Sequence, residues 1–233
     1  MVIKKITKGS VLALLALLII ILFIRVDTLT KEPAFIGADT AAGGSVSLSI
    51  LPYSCYMNVT MYSSWNLISI KCEQSNEALT TVLAPISGNY TAVEAFWAND
   101  TGDPWKKYDP AVPPFIHDLN SVDHVHGYWI NMSVNDTLEI NGTISYRTDI
   151  LQLAGWNLPG YPSGVTRTVT NALSSINGNY TAVEAYYASD LGDPWKKYDP
   201  AVPPFVNDLS TIDPGFGYWI NMSVNDTWEV YAW

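Results

Sequence analysis

Basic residues are scarce in this sequence. Its 233 residues include 12 Lys and Arg against 22 Asp and Glu, which gives a formal net charge of −10 at pH 7. Several of the basic residues lie in the first 31 positions: Lys4, Lys5, Lys8, Arg25 and Lys31. Proteins that hold nucleic acid present a basic patch to the phosphate backbone. The acidic balance therefore argues against a nucleic-acid partner.

Catalytic groups are scarce as well. The chain has two Cys and three His. No Ser, Thr or Cys stands in a nucleophile-elbow or triad-like setting, and no Gly-rich phosphate loop opens a helix. Glu94 and Asp109 could supply the two carboxylates of a glycosidase, but a repeat of about ninety residues is too small for the usual substrate cleft. We predict that the protein is not an enzyme, with no catalytic residues and no cofactor.

The three histidines, His117, His124 and His126, lie close enough in sequence to suggest a metal site. The second copy of this segment has other residues at the corresponding positions: Asn207, Pro214 and Phe216. Metal ligands must also converge in space, and nothing in the sequence indicates that these do. We predict a solvated turn here and no metal site.

What the sequence does contain is a long internal repeat. GNYTAVEAFWANDTGDPWKKYDPAVPPF, residues 88–115, returns ninety positions later as GNYTAVEAYYASDLGDPWKKYDPAVPPF, residues 178–205. The tripeptide Trp-Asn-Leu at residues 65–67 aligns with residues 156–158 at an offset of 91. Repeats of this length favour two domains.

The composition of each repeat predicts a mainly β fold. β-branched and aromatic residues lie between clusters of Gly, Pro, Asn and Asp, which is typical of antiparallel strands joined by turns. A short helix is expected near residues 76–86, and the prolines at 110, 113 and 114 exclude a central strand there. We predict two tandem antiparallel β-sandwich-like or barrel-like modules with short helices, at residues 45–144 and 145–233.

Residues 1–44 have the pattern of an export segment and linker. A basic start precedes fourteen apolar residues, 11–24, which is short for an untilted spanning helix of roughly 20 residues and typical of a secretory signal. Three interpretations stay open: a signal peptide cleaved near residues 37–42, an uncleaved signal-anchor helix, and a prepilin-type signal at Lys8-Gly9. All three place the remainder outside the cell, in contact with the membrane only through this segment.

Sequons for N-glycosylation support an extracellular location. Asn-X-Ser/Thr occurs at Asn58, Asn89, Asn99, Asn131, Asn135, Asn141, Asn179, Asn221 and Asn225. A glycan cannot be buried, so these positions are expected at the surface. The alternative is that Asn and Thr simply populate β-turns. We predict N-linked glycans at these sites.

Cys55 and Cys72 can be tested for pairing by strand register. A hairpin that turns at Ser63-Ser64 places Cys55 opposite Cys72 at a non-hydrogen-bonded position, where Cα atoms are about 4.5 Å apart. The same register places Asn58 on the opposite face from the cysteines. Because exported cysteines usually pair, we predict a Cys55–Cys72 disulfide within this hairpin. The second module has Tyr146 and Ser163 at these positions, so the fold does not require the bond.

Acidic residues recur around the Pro-rich end of the repeat. The set is Asp100, Asp103 and Asp109, with Asp190, Asp193 and Asp199 as counterparts. Closely spaced Asp oxygens could coordinate Ca²⁺. The simpler interpretation is that these carboxylates accept hydrogen bonds from turn backbone.

Aromatic residues recur in the same region and suggest a sugar-binding surface. The set is Trp97, Trp105, Tyr108, Tyr128 and Trp129, with Tyr187, Trp195, Tyr198, Tyr218 and Trp219 as counterparts. Such rings could stack on the apolar faces of sugar rings. The alternative is that the tryptophans, Trp65 among them, are pillars of the core.

Trp-Asn-Leu at 65–67, Gly-Trp-Asn-Leu at 155–158, and Gly-Tyr-Trp-Ile at 127–130 and 217–220 resemble a known pattern. They are similar to the tandem GWNL…GYWI-type modules of archaeal cell-surface and S-layer-associated proteins, over about residues 62–229. The resemblance implies extracellular, non-catalytic β modules displayed on the cell envelope.

The expected function is therefore structural. We expect a glycosylated extracellular protein that associates with itself as the subunit of a cell-surface filament or surface layer. The alternating residues 45–51 precede the first repeat and the second module ends early, which suggests that one subunit donates this strand to the next. The alternative is a carbohydrate-binding surface adhesin with a glycan ligand.

Overall fold

The computed structural model describes residues 36–40, 46–50 and 53–233. The chain divides into two compact units, Met1–Leu51 and Pro52–Trp233. The predicted signal peptide or anchor with its linker, residues 1–44, lies outside the described residues except for 36–40. Among the residues that are described, no helix is long and apolar enough to cross a membrane.

The first unit contains an antiparallel hairpin. Strand β1 (Ile36–Thr40) pairs with β2 (Val46–Ile50), with Ile36 opposite Ile50 and Thr40 opposite Val46. The alternation at residues 45–51 therefore predicts a strand correctly. Its partner is a strand of the same chain.

The second unit contains the repeat. In the first half, residues 53–144, the strands are β3 (Tyr53–Met61), β4 (Ser64–Ser69), β5 (Tyr90–Phe96), β6 (Trp105–Tyr108), β7 (Gly127–Met132) and β8 (Asp136–Ile144). In the second half, residues 145–233, they are β9 (Arg147–Gln152), β10 (Gly155–Asn157), β11 (Arg167–Thr168), β12 (Tyr180–Tyr186), β13 (Trp195–Tyr198), β14 (Thr211–Ile212), β15 (Tyr218–Met222) and β16 (Asp226–Tyr231). The short helices are α1 (Leu79–Val82) and α2 (Val169–Ala172), with 3₁₀ helices at Ala84–Ile86, Pro114–Ile116, Ser174–Ile176 and Pro204–Val206.

The two halves have the same topology. Each has a four-stranded antiparallel sheet, in the order β4-β7-β5-β6 or β10-β15-β12-β13, and a two-stranded sheet, β3-β8 or β9-β16. The predicted mainly β, antiparallel fold with short helices is confirmed. One core cluster lies in each half, and each draws residues from both of that half's sheets.

The cysteines pair, but through a different geometry from the predicted hairpin. Cys55 and Cys72 form a disulfide with their Cα atoms 5.5 Å apart. Strand β3 pairs with β8, however, and β4 pairs with β7. The hairpin is therefore wrong, because the chain turns a corner after Met61 and enters the other sheet. The disulfide links β3 to the segment that follows β4.

A buried asparagine fixes this corner in each half. Asn66 accepts a hydrogen bond from the N–H of Tyr62 at 2.8 Å and donates to the Tyr62 carbonyl at 2.6 Å. Asn157 makes the same two bonds with Leu153, at 2.9 and 2.7 Å. An amide that satisfies both backbone groups of one residue closes a turn in the way that a backbone turn does. The Asn of the Trp-Asn-Leu motif is therefore structural.

The second half has its own first strand, which overturns the reason for expecting donor-strand exchange. β9 pairs with β16 along six residue pairs, from Arg147 opposite Tyr231 to Gln152 opposite Asp226. At an offset of 91, β9 corresponds to the last six residues of β3. Both copies of the repeat therefore contain this strand. The second half therefore needs no strand from another subunit to complete it.

The two halves pack against each other through reciprocal contacts. Gly127 donates its N–H to the carbonyl of Leu158 at 2.8 Å, and Gly217 donates to the carbonyl of Leu67 at 3.4 Å. A Cβ on Gly127 would lie 3.1 Å from Leu158, and one on Gly217 would lie 2.8 Å from the carbonyl oxygen of Ile68. The Gly of the Gly-Tyr-Trp-Ile motif thus lies at a close approach of the two halves. Reciprocity of this kind is what a two-fold axis produces.

Candidate functional site

The outer faces of the two four-stranded sheets meet in a cluster of eight aromatic rings. Because side chains alternate along a strand, Val93 and Ala95 of β5 are buried in the core while Phe96 and Glu94 face outward. The outward rings, which we call the aromatic junction, are Trp65, Phe96, Trp105 and Trp129 from the first half and Trp156, Tyr186, Trp195 and Trp219 from the second.

Contacts across the aromatic junction are matched in pairs. Trp105 contacts Trp219 with ring centroids 5.7 Å apart and planes at 59°. The equivalent contact, Trp129 with Trp195, has the same 5.7 Å separation and an angle of 55°. Tilted and edge-on contacts of this kind are the favourable arrangement of aromatic quadrupoles. The two halves therefore associate as a symmetric dimer does, within one chain.

The aromatic junction is not closed. An open cleft of about 360 Å³ lies in it, lined by Trp65, Glu94, Trp105, Trp129, Trp195 and Trp219. Trp105 and Trp195 remain 38% and 44% exposed. We call this the Trp cleft. Exposed rings in such number mark a binding surface more often than a packing fault.

The charged groups beside the Trp cleft are paired. Glu94 lies opposite Lys107 on adjacent strands, and its Oε1 atom is 3.0 Å from Lys107 Nζ. Glu184 and Lys197 repeat the pair in the second half at 3.4 Å. These cross-strand pairs neutralise the carboxylates and leave them as hydrogen-bonding groups.

Two smaller clefts flank the junction and are equivalent to each other. The first, about 230 Å³, lies between residues 96–99 and 149–153. The second, about 320 Å³, lies between residues 58–62 and 186–189. Each therefore takes one wall from each half of the chain.

Of the aromatic residues singled out from the sequence, the structure brings only some together. Trp105, Trp129, Trp195 and Trp219 meet in the aromatic junction, whereas Tyr128 and Tyr218 are buried in the cores. Trp97, Tyr108, Tyr187 and Tyr198 are partly buried and pack against the cores. The expected platform on one module is thus replaced by a cleft between two. One sequence pattern could have indicated this cleft: the alternation of buried and outward side chains along the strands. It places Phe96 and Tyr186 on the same sheet face as Trp105 and Trp195.

The duplicated acidic turn is held by backbone and lysine. Asp100 Oδ1 accepts a hydrogen bond from the N–H of Asp103 at 3.2 Å, and Asp100 Oδ2 lies 2.7 Å from Lys106 Nζ. The hydrogen bond from Lys106 holds the pKa of the Asp100 carboxyl below its usual range. In the second half, Asp190 has the same backbone and lysine contacts. The structure supports the interpretation of these carboxylates as turn-forming groups, and Ca²⁺ binding stays the untested alternative.

The histidines contact different carboxylate or carbonyl groups. His117 Nε2 lies 2.8 Å from the carbonyl of Asp109, and His126 Nδ1 lies 2.8 Å from Asp123 Oδ2. Burial raises the pKa of the Asp123 carboxyl, but the hydrogen bonds from His126 and the backbone outweigh it, so the pKa falls below its usual value. Across residues 53–233 and the N-terminal hairpin, no group of three His, Cys, Asp or Glu is placed to hold a metal ion.

The end of the duplicated segment forms an exposed apolar tip. Phe115 is 86% exposed and its counterpart Phe205 is 88% exposed, each in a 3₁₀ helix that begins with Pro. Asp109 Oδ1 accepts a hydrogen bond from the Ala111 N–H at 2.8 Å, which closes the turn that precedes the tip. The second half repeats this bond between Asp199 and the Ala201 N–H, also at 2.8 Å. The sequence predicts the turn but not the exposure of the phenylalanines.

None of the nine sequon asparagines is fully buried. The exposed ones are Asn58, Asn99, Asn135, Asn141 and Asn225, and the half-buried ones are Asn89, Asn131, Asn179 and Asn221. Asn131 lies directly opposite Trp65, and Asn221 opposite Trp156, in the sheet ladders. The five exposed sites meet the surface requirement for a glycan. At Asn89 and Asn179 the side-chain Nδ2, the atom to which a glycan is attached, donates a hydrogen bond to Asp136 and Asp226 at 2.9 Å. Glycosylation itself stays a prediction.

Comparison with protein-family models, curated proteins and solved structures finds no match to this chain.

Proposed function

We propose that the protein is a non-enzymatic, glycosylated, extracellular structural protein that associates with itself as the subunit of a cell-surface filament or layer. The Cys55–Cys72 disulfide supports an oxidising location outside the cytoplasm. The exposure of five of the nine sequon asparagines fits a glycosylated exterior. The observation that carries the proposal is the pair of exposed apolar tips.

Each tip phenylalanine is almost fully exposed and lies beside a second exposed apolar residue, Ile116 at 60% or Val206 at 58%. Such a pair leaves apolar area in water, which favours burial against a partner. The proline-led 3₁₀ helix and the aspartate hydrogen bond restrict the backbone before docking, which lowers the conformational entropy lost on docking. Because the tip occurs in both halves, one chain offers two equivalent contacts.

We assign the tips to a second copy of the same chain. Each chain carries two tips and two equivalent flanking clefts whose lining is partly apolar and partly polar, so tips and clefts are present in equal number. Docking of a tip requires that the sequons lining these clefts, Asn99 and Asn58, carry no glycan in the assembled protein. A tip on one copy that enters a cleft on the next makes a heterologous contact, and such contacts propagate into open filaments or layers. The net charge of −10 makes copies of the chain repel one another, which opposes non-specific association.

The test is the assembly state of the full chain. Negative-stain electron microscopy and light scattering are expected to show filaments or sheets for the native chain and single particles for the double variant F115D/F205D. L191D is the matched control, since Leu191 is 95% exposed but lies outside the tips, and it is expected to assemble normally. A native chain that stays monomeric at high concentration, or an F115D/F205D variant that assembles equally well, would contradict the proposal.

A further inference from the structure

We propose that the Trp cleft binds a neutral saccharide. The Trp cleft is formed only where the two halves meet, and sugar binding there does not depend on self-association through the tips. The cleft combines several aromatic rings, inclined ring planes and a paired carboxylate.

The walls of the Trp cleft suit a flat ligand with apolar faces. Trp105 and Trp219 meet at 59°, and Trp129 and Trp195 at 55°, so the rings form inclined faces instead of a closed stack. A pyranose ring presents C–H groups on its faces and hydroxyls around its edge. The C–H groups can stack on the inclined indole faces, and the hydroxyls at the edge of the sugar stay accessible to polar partners.

The charge beside the Trp cleft selects against an ionic ligand. An aromatic cage with a free carboxylate would favour a quaternary ammonium ion through cation–π attraction. Here Glu94 Oε1 lies 3.0 Å from Lys107 Nζ, so the carboxylate already has its cation. The pair still offers an acceptor and a donor, and a sugar edge with several hydroxyls can use both without bringing a net charge.

The size of the cleft sets the length of the ligand. A volume of about 360 Å³ falls in the ordinary range of small-molecule sites, which is roughly 300–1,000 Å³. One or two sugar units fill such a space. Because the cleft is open, a longer chain can continue out of it, and we therefore expect binding to an internal or terminal part of an oligosaccharide.

The experiment is a tryptophan-fluorescence and calorimetric titration of the full chain, produced in a host that does not attach N-glycans. The probes are the hexamers of β-1,4-glucose, β-1,4-N-acetylglucosamine and α-1,6-mannose, with choline as the cationic competitor. Saturable binding of at least one hexamer, and none of choline, is expected. No saturable binding by any hexamer, or tighter binding of choline, would overturn the proposal.

The chain supplies a control variant outside the aromatic junction. Trp105 is 38% exposed and Trp233 is 44% exposed, but only Trp105 lines the cleft, whereas Trp233 contacts Tyr53 and Tyr146. W105A is expected to weaken hexamer binding tenfold or more, and W233A less than twofold. If W105A fails to fold, E94Q serves in its place, since it keeps the shape of the cleft, and a loss of threefold or more is expected. Equal losses in W105A and W233A would also overturn the proposal.

Two further arms of the experiment separate sugar binding from self-association and from occupancy of the cleft by the protein's own glycan. F115D/F205D is expected to bind the hexamer as the native chain does, so failure of assembly and failure of sugar binding remain distinguishable. Chain from a glycosylating host is compared with its N131Q/N221Q variant, because Asn131 lies opposite Trp65. Hexamer binding by both shows a free saccharide as occupant. Binding only after removal of these two sequons shows that the protein's own glycan fills the cleft, which contradicts the proposal.

Discussion

The two halves of the chain reach the same topology with different means of holding their sheets together. In the first half the bond between β3 and the segment after β4 is covalent, Cys55 to Cys72, and the neighbouring core residues Ile70 and Leu138 are aliphatic. In the second half Tyr146 and Ser163 stand where the cysteines would be. The fold therefore does not require a disulfide between these two segments, and other residues can take its place.

The second half replaces the disulfide with aromatic volume and a buried polar cluster. Tyr161 and Trp228, which correspond to Ile70 and Leu138, stack with centroids 5.9 Å apart and planes at 8°. Arg167 Nη1 donates to Ser163 Oγ at 2.7 Å and to the carbonyl of Tyr231 at 3.1 Å. A tyrosine–tryptophan pair buries more surface than two aliphatic side chains. The fold therefore requires a strong link between its two sheets, and either chemistry supplies it.

Removal of Trp228 should have the largest effect on this comparison. The indole is fully buried and donates its Nε1–H to the carbonyl of Ala172 at 2.7 Å. W228A is expected to lower the free energy of unfolding by about 3–5 kcal/mol, since it leaves a large cavity and an unpaired carbonyl. Urea denaturation followed by circular dichroism measures the loss.

The matched control is L138A, at the corresponding position in the first half. It also leaves a cavity but removes no hydrogen bond, and the disulfide still holds the neighbouring segments. We expect a smaller loss for L138A than for W228A. An equal or larger loss would mean that the aromatic pair does not act as the substitute for the disulfide.

Removal of the disulfide should have the next largest effect. C55A/C72A opens a loop with a sequence separation of 17, and the chain-entropy model gives about 3 kcal/mol for a loop of that size. Reductant is expected to destabilise the native chain by a similar amount and to leave the double variant unchanged. A double variant as stable as the native chain would show that packing alone holds the first half.

The strands of this fold could be predicted from the sequence because their patterns are local. Alternation along residues 53–61 reports which face is buried, and the structure places Met57 and Val59 inside and Asn58 outside. The disulfide is predicted from a hairpin that does not exist, yet the pairing is confirmed. Both geometries place Cys55 on the buried face, because the alternation along β3 is the same in each.

The corner between sheets and the Trp cleft could not be predicted in the same way. A two-residue connection after Met61 is compatible with a hairpin or with a change of sheet. The contacts that hold the observed corner, such as the bond from Asn66 Nδ2 to the Tyr62 carbonyl, cannot be read from the sequence. The cleft depends on contacts between Trp105 and Trp219, which are more than a hundred residues apart. The sequence predicts an aromatic face on each module. It does not predict that the two faces contact each other.

The smallest predicted effect concerns one backbone position where the halves differ. Ser64 has a φ of 84°, and its counterpart Gly155 has a φ of 95°. This left-handed region is costly for a residue with a Cβ, by about 1–2 kcal/mol, and part of that cost is offset because Gly loses more conformational entropy on folding. We expect S64G to raise the free energy of unfolding by about 0.5–1 kcal/mol and G155S to lower it by a similar amount.

The reciprocal exchange is its own control. A Cβ at Gly155 meets nothing within 4 Å. Both residues contribute a backbone carbonyl to the corner, which accepts from Asn66 Nδ2 at 2.9 Å or from Asn157 Nδ2 at 3.0 Å. Both changes therefore act mainly on backbone conformation. Thermal and urea denaturation of the two single variants and the double exchange are the measurements. If S64G destabilises the chain, the corner in the first half is held by the serine itself, and the two corners are alike only in shape. If the two changes in the free energy of unfolding are opposite and cancel in the double variant, the same left-handed turn closes both halves. The serine of the first half then bears the backbone strain that glycine avoids in the second.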